Sequence, residues 1–191
     1  MRKKKYDLSA EVNRFSRNIR TTWQYIFLPA VVIYMLALWH YLAVKPAFNL
    51  TLLPYLKNID LASFIVVIAL TLLIFNLKRT YFARKFSRQI IDRQLKRDPG
   101  QNENELLEKI FAVLRKKMTR VWLLGLVVVV VGVCYYLLTS LEEHMHIDFI
   151  IGAFSMLLNY PRSEMFEDIA RYVIEEKKML GLEESDEIVE E

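Results

Sequence analysis

Two apolar-to-basic arms mirror each other about Pro99-Gly100, an arrangement that excludes an ordinary water-soluble core. Residues 61–77 (LASFIVVIALTLLIFNL) run without a break into KRTYFARKFSRQIIDRQLKRD. On the return, NENELLEKIFAVLRKKMTR runs into VWLLGLVVVVVGVCYYLLTSL. Each arm reads as one helix of about 39 residues, or about 58 Å at the α-helical rise. A helix that is apolar all round in one half and densely charged in the other leaves a membrane and continues into water. The chain therefore reads as an all-α integral membrane protein.

Apolar residues make up 54 % of the chain and charged residues 25 %, so the charges must be segregated. The apolar segments fall at 22–44, 61–77, 121–141 and, more weakly, 147–160. A helix needs about 20 residues to cross the hydrocarbon. The first and third segments meet that length, the second lies near the lower limit, and the fourth is short enough to need tilt, bilayer thinning or a re-entrant path. Basic residues decide between these. Residues 1–20 hold 7 Lys and Arg, residues 78–120 hold 13, and the chain after 161 holds 4, leaving Lys45 and Lys57 elsewhere. Four spans put 24 of the 26 on one side, and the positive-inside rule makes that side the cytoplasm, with both termini there. A re-entrant fourth segment would export Arg162, Arg171, Lys177 and Lys178, which favours four spans. Trp39, Tyr41, Tyr135 and Tyr136 then mark the outer interface, and Trp23, Tyr81, Trp122 and Tyr160 the inner one. The first span is too long for a signal peptide and lacks a small-residue cleavage site after it. Cys134 is the one cysteine, so no internal disulfide forms.

The expected layout is a single polytopic domain: an interfacial helix within 1–20, spans at 22–44, 61–77, 121–141 and 147–160, and a cytosolic antiparallel helical hairpin over 78–120. An amphipathic helix at 164–180 and an acidic tail at 183–191 complete it. In the N-terminal segment Leu8, Val12, Phe15 and Ile19 share one face. Residues 164–180 place Phe166, Ile169, Ala170, Val173 and Ile174 together, with Gly181 as a stop. Asn102 and Glu105 form a capping-box pair that starts the second arm.

Within the arms, an uncharged 4-3 spacing runs through Ala69, Asn76, Ala83 and Ile90, and another through Phe111, Met118, Gly125 and Gly132. Such spacing predicts an antiparallel coiled-coil seam held by close approach of small residues. It pairs Asn76 with Gly125, Ala69 with Gly132, Ala83 with Met118 and Ile90 with Phe111.

No nucleophile, cofactor or metal motif of defined spacing is present, which points to a non-enzymatic protein with no cofactor, no bound metal and no small-molecule substrate. His40, His144 and His146 all lie on the outer side beside Glu142, Glu143, Asp148 and Asp60, a weak metal-site pattern. Spans one to three carry no ionisable residue in their cores, which argues against a coupled transporter. Nucleic-acid binding does not follow from the pI of about 9.1. The basic clusters are juxtamembrane, where anionic lipid is the nearer partner. Residues 1–20 carry +5, the hairpin +8, and 161–191 carries −7.

The reading these features favour is a membrane subunit or scaffold. Its basic hairpin contacts a partner protein, a second copy or anionic lipid through Tyr81, Phe82, Phe86, Arg84, Lys85, Arg88, Lys116 and Lys117. An oligomeric channel or pore is the alternative. Over residues 60–160 the order of elements, two spans flanking a cytosolic helical pair and then a third span, resembles that of the YidC-type insertases. That resemblance implies a role in membrane-protein biogenesis, although the intramembrane arginine of the bacterial insertases has no counterpart here.

Overall fold

The computed structural model describes residues 2–47, 50–81, 89–93 and 103–179. Five long helices account for most of them: α1 (Arg2–Val44), α2 (Leu56–Tyr81), α3 (Glu103–Thr139), α4 (Glu143–Leu158) and α5 (Ser163–Met179). A 3-10 helix at Leu50–Tyr55 precedes α2, residues 89–93 are helical, and no strand occurs among the described residues. The stretches Ala10–Val44, Leu50–Thr80 and Glu105–Thr139 are each long and apolar enough to cross a membrane. The hairpin tip at Pro99-Gly100, Asn102 and the acidic tail lie outside the described residues.

The central element is α3, with α1, α2, α4 and α5 all packed against it. It matches the second arm of the sequence, running 37 residues from charged to apolar sequence without interruption. Parallel to it lies α1: the ring of Phe15 stacks on Phe111 at 4.3 Å, and His40 meets Tyr136 with the same offset of 96 residues. By contrast, α2 and α4 are antiparallel to α3. The Tyr135 hydroxyl donates to Asp60 at the start of α2, and the Trp122 indole N–H donates to the Asn159 carbonyl just past α4 at 2.9 Å.

At the N-terminus the structure corrects an expectation. Residues 1–20 were expected to form a separate interfacial helix, but α1 runs unbroken from Arg2 through Pro29 to Val44. The physical reason is one continuous buried stripe, Val12, Ser16, Ile19, Trp23, Ile26 and Ala30, that crosses the charged-to-apolar boundary at helical spacing. With no breaker between Arg20 and Trp23, the segment continues the span along α3.

Both α1 and α3 end the same way. Lys45 (φ 45°) and Ser140 (φ 64°) adopt the left-handed conformation, and their N–H groups donate to the carbonyls of Tyr41 (3.0 Å) and Tyr136 (2.7 Å). These are αL C-terminal caps built without glycine.

A second correction concerns the seam between the arms. Ala69 and Asn76 are exposed; the neighbouring stripe of Val67, Leu70, Ile74 and Leu77 packs instead with Val121 and Val128 of α3. Side-chain volume explains the shift, since β-branched residues fill the groove between α2 and α3 where Ala69 would leave it empty. Gly125 and Gly132 do not meet α2. They face α4, beside Met156 and Ser155 in one case and Asp148 in the other. Ile90, Phe111 and Met118 are buried in one common cluster, while Ala83 lies outside the described residues.

The α3–α4 contact is the most extensive in the bundle. A Cβ placed on Gly152 would stand 2.5 Å from the Gly125 carbonyl oxygen, so these two glycines let the backbones touch. At the charged end, α5 lies against α1 and α3. Phe166 sits edge-on to Phe15 at 5.0 Å, and Ile169, Ala170 and Val173 are buried beside it. One apolar cluster thus runs from Val12 and Phe166 at the charged end to Val129 and Met156 within the apolar half.

Candidate functional site

Polar chemistry concentrates at the two ends of the bundle. At the charged end, the N-terminal halves of α1 and α3 leave between them a groove of about 680 Å³. Its α1 wall carries Glu11, Arg14, Phe15, Asn18 and Thr22; its α3 wall carries Glu108, Phe111, Ala112, Arg115, Lys116, Thr119 and Arg120. Because the helices are parallel, the lining is graded. Both acids lie farthest from the apolar band, the aromatic pair comes next, and Lys116, Arg120 and two threonines lie nearest to it. Arg14, Arg115, Lys116 and Arg120 are all exposed. Four cations against two carboxylates leave an anion-attracting site.

Just above the groove, the start of the apolar band is pinned to the end of α4. The indole N–H of Trp23 donates to the Met156 carbonyl at 3.1 Å, while Trp122 serves the Asn159 carbonyl. Those carbonyls lie in and just past the last turn, where a helix has no acceptor-satisfying N–H of its own. Arg20 reaches the Pro161 carbonyl at 3.4 Å and lies 5.9 Å from the Tyr160 ring centre, tying α1 to the α4–α5 turn.

At the opposite end, each histidine has its own tyrosine. His40 Nδ1 and the Tyr136 hydroxyl are 2.8 Å apart, and His146 Nδ1 and the Tyr34 hydroxyl 2.9 Å apart. His144 lies against the Tyr135 ring at 4.2 Å. The imidazoles are thus dispersed, and no group of three or more His, Cys, Asp or Glu positioned for a metal occurs among the described residues. The Tyr41 hydroxyl donates to Glu142 at 2.9 Å. Glu142, in the α3–α4 turn, is held below the usual carboxylate range first by its own backbone N–H and then by Tyr41.

Asp148 is the deepest ionisable group in α4, with only 3 % of its surface exposed. It packs against Gly132, seven residues before the end of α3 and so about 10 Å below it. Its Oδ2 has no hydrogen-bond partner among the described residues. The sequence places Asp148 at the edge of a span; the close glycine contact buries it.

Of the residues expected to meet a partner or lipid, Lys116 lines the groove and Lys117 is half-buried beside it. Phe82, Arg84, Lys85, Phe86 and Arg88 lie outside the described residues, as does the Tyr81 side chain. Sequence reading missed Arg14, Arg115 and Arg120 as a group. The signal was present as helical spacing of polar residues, Arg14, Asn18 and Thr22 on α1 and Arg115, Lys116, Thr119 and Arg120 on α3, but it gains meaning only once α1 is known to run beside α3. No protein-family model matches the chain, and neither a curated protein nor a solved structure is significantly similar to it.

Proposed function

We propose that this protein is a non-enzymatic membrane subunit or scaffold that presents a basic, helical cytoplasmic platform to the membrane surface and to an acidic protein partner. In this reading α4 is a fourth span, and the charged ends of α1 and α3, with α5, stand in the cytoplasm. The observation that carries the proposal is the unbroken apolar cluster joining the charged extension to the spans. A platform built on one continuous core holds a fixed geometry relative to the bilayer, as a docking surface requires. Exposed Leu28, Val32, Met35, Leu61, Phe64, Leu72 and Phe75 on α1 and α2 support lipid immersion of the other half. Exposed Ile147, Ile150, Phe154 and Leu157 do the same for α4.

Reporter fusions and native mass measurement test this together. Fusions after Arg20, Gly100 and Glu191 are expected to report inside, and those after Lys57 and Glu143 outside. The intact protein extracted in mild detergent is expected to run with a second, different chain. A ring of three or more copies with no other chain would replace the scaffold reading with the pore; an outside report at Glu191 would make α4 re-entrant.

A further inference from the structure

The groove between α1 and α3 has the dimensions, charge and position of a specific lipid site, and we infer that it binds the phosphate headgroup of one anionic phospholipid from the cytoplasmic leaflet. The inference rests on the orientation given under the proposed function and names the ligand class of that surface.

Three observations carry it. First, the charge is graded along the groove: Glu11 and Glu108 stand at its far end, while Lys116 and Arg120 with Thr22 and Thr119 stand at its membrane end. A phosphate entering from the bilayer meets cations and hydroxyl donors before any carboxylate. Guanidinium groups bind phosphate oxygens in pairs of parallel hydrogen bonds, and threonine hydroxyls add single donors. Second, the groove lies at headgroup depth. Arg20 and Arg120 are the last charged residues before the apolar stretches of α1 and α3, so the membrane end of the groove, at Thr22, Thr119 and Arg120, coincides with the boundary where basic residues meet anionic headgroups. Third, the same helix faces continue into the apolar band as surface that acyl chains can cover: Tyr25 follows Thr22 at 75 % exposure, and Leu123 and Val127 follow Thr119 and Arg120 at 44 % each. A soluble anion uses only the first of these features. An amphiphile uses all three.

The test uses the full-length protein in detergent, titrated with phosphatidylglycerol or phosphatidylcholine and read by native mass spectrometry. Wild type is expected to retain phosphatidylglycerol in preference to phosphatidylcholine, with one molecule bound tightly. Each basic residue near an anionic headgroup contributes about fivefold in affinity. The triple variant Arg115→Gln/Lys116→Gln/Arg120→Gln should therefore lose the preference by about a hundredfold, and Arg120→Gln alone by about fivefold. The side chains are exposed, so the lipid-free melting temperature should not move. The charge-matched control Lys78→Gln/Arg79→Gln/Arg162→Gln, outside the groove, should keep the tight molecule. Equal loss in both triple variants would overturn the site in favour of diffuse surface attraction. Displacement of the lipid by millimolar inorganic phosphate would overturn it in favour of a soluble anion. None of these results bears on whether a partner protein binds, whereas an outside location of the Arg14 region in the fusion assay would remove the scaffold reading itself.

Discussion

Alanine at Gly152 should loosen the bundle where its backbones touch. The new Cβ would stand 2.5 Å from the Gly125 carbonyl oxygen and 2.7 Å from Val129 Cγ2, against the 3.4 Å at which ordinary contact begins. The first neighbour is backbone and cannot rotate away, so α4 must move off α3 by about 0.9 Å. A radial gap of that size forfeits about a quarter to a half of the dispersion energy of each contact it opens. Overpacking of this kind costs about 1–3 kcal/mol. Alanine returns up to about 1 kcal/mol of that through its better helix propensity. The net loss should be about 1–2 kcal/mol, lowering the melting temperature by about 2–8 °C for a chain of this size. The comparison that isolates the cause is Gly125→Ala. Its Cβ would meet Met156 Cγ and Ser155 Oγ, both at 2.8 Å and both on rotatable side chains, with the Gly152 carbonyl oxygen farther off at 3.1 Å. It should cost less. Thermal unfolding of the two variants in the same detergent gives the order. A Gly152→Ala protein as stable as wild type, or a Gly125→Ala protein that is the weaker of the two, would refute the backbone-contact argument.

Three further outcomes can be measured. Asp148→Asn should leave stability unchanged or raise it, because Oδ2 has no hydrogen-bond partner among the described residues and a neutral amide costs less to bury than a carboxylate; a loss above about 2 kcal/mol in denaturant unfolding would mean the carboxylate is itself bonded. Trp122→Phe should cost about 1–3 kcal/mol in thermal unfolding, since it strands the Asn159 carbonyl without its donor. The Glu142 carboxyl is held below its ordinary 4.5, so its contribution is present above pH 4.5 and is lost as pH falls through the lower folded value. Tyr41→Phe removes one of the two hydrogen bonds responsible, and infrared titration should find Glu142 moved back toward 4.5, with no movement refuting that cause.

Local chemistry was enough to determine that this chain is helical, with helices long and apolar enough to cross a membrane. Hydropathy and length need no partner to act: VWLLGLVVVVVGVCYYLLTSL is apolar whatever surrounds it, and α3 follows from that run and its charged extension. The amphipathic face of α5 was legible for the same reason, with Phe166, Ile169 and Val173 buried as their spacing predicts. Packing partners were not legible. A 4-3 repeat says which residues share a stripe but not which of two adjacent stripes a neighbour covers, so α2 buries Val67 and Ile74 rather than Ala69 and Asn76. Gly125 and Gly132 advertise close approach, yet only the tertiary structure reveals that α4 makes it. The basic groove is the extreme case. Arg14 and Arg120 are 106 residues apart, and they line one groove because the stripe from Val12 to Ala30 packs an unbroken α1 parallel to α3. Solvation acts residue by residue and can be read in order; pairing depends on shape complementarity between surfaces far apart in sequence, which no single segment contains.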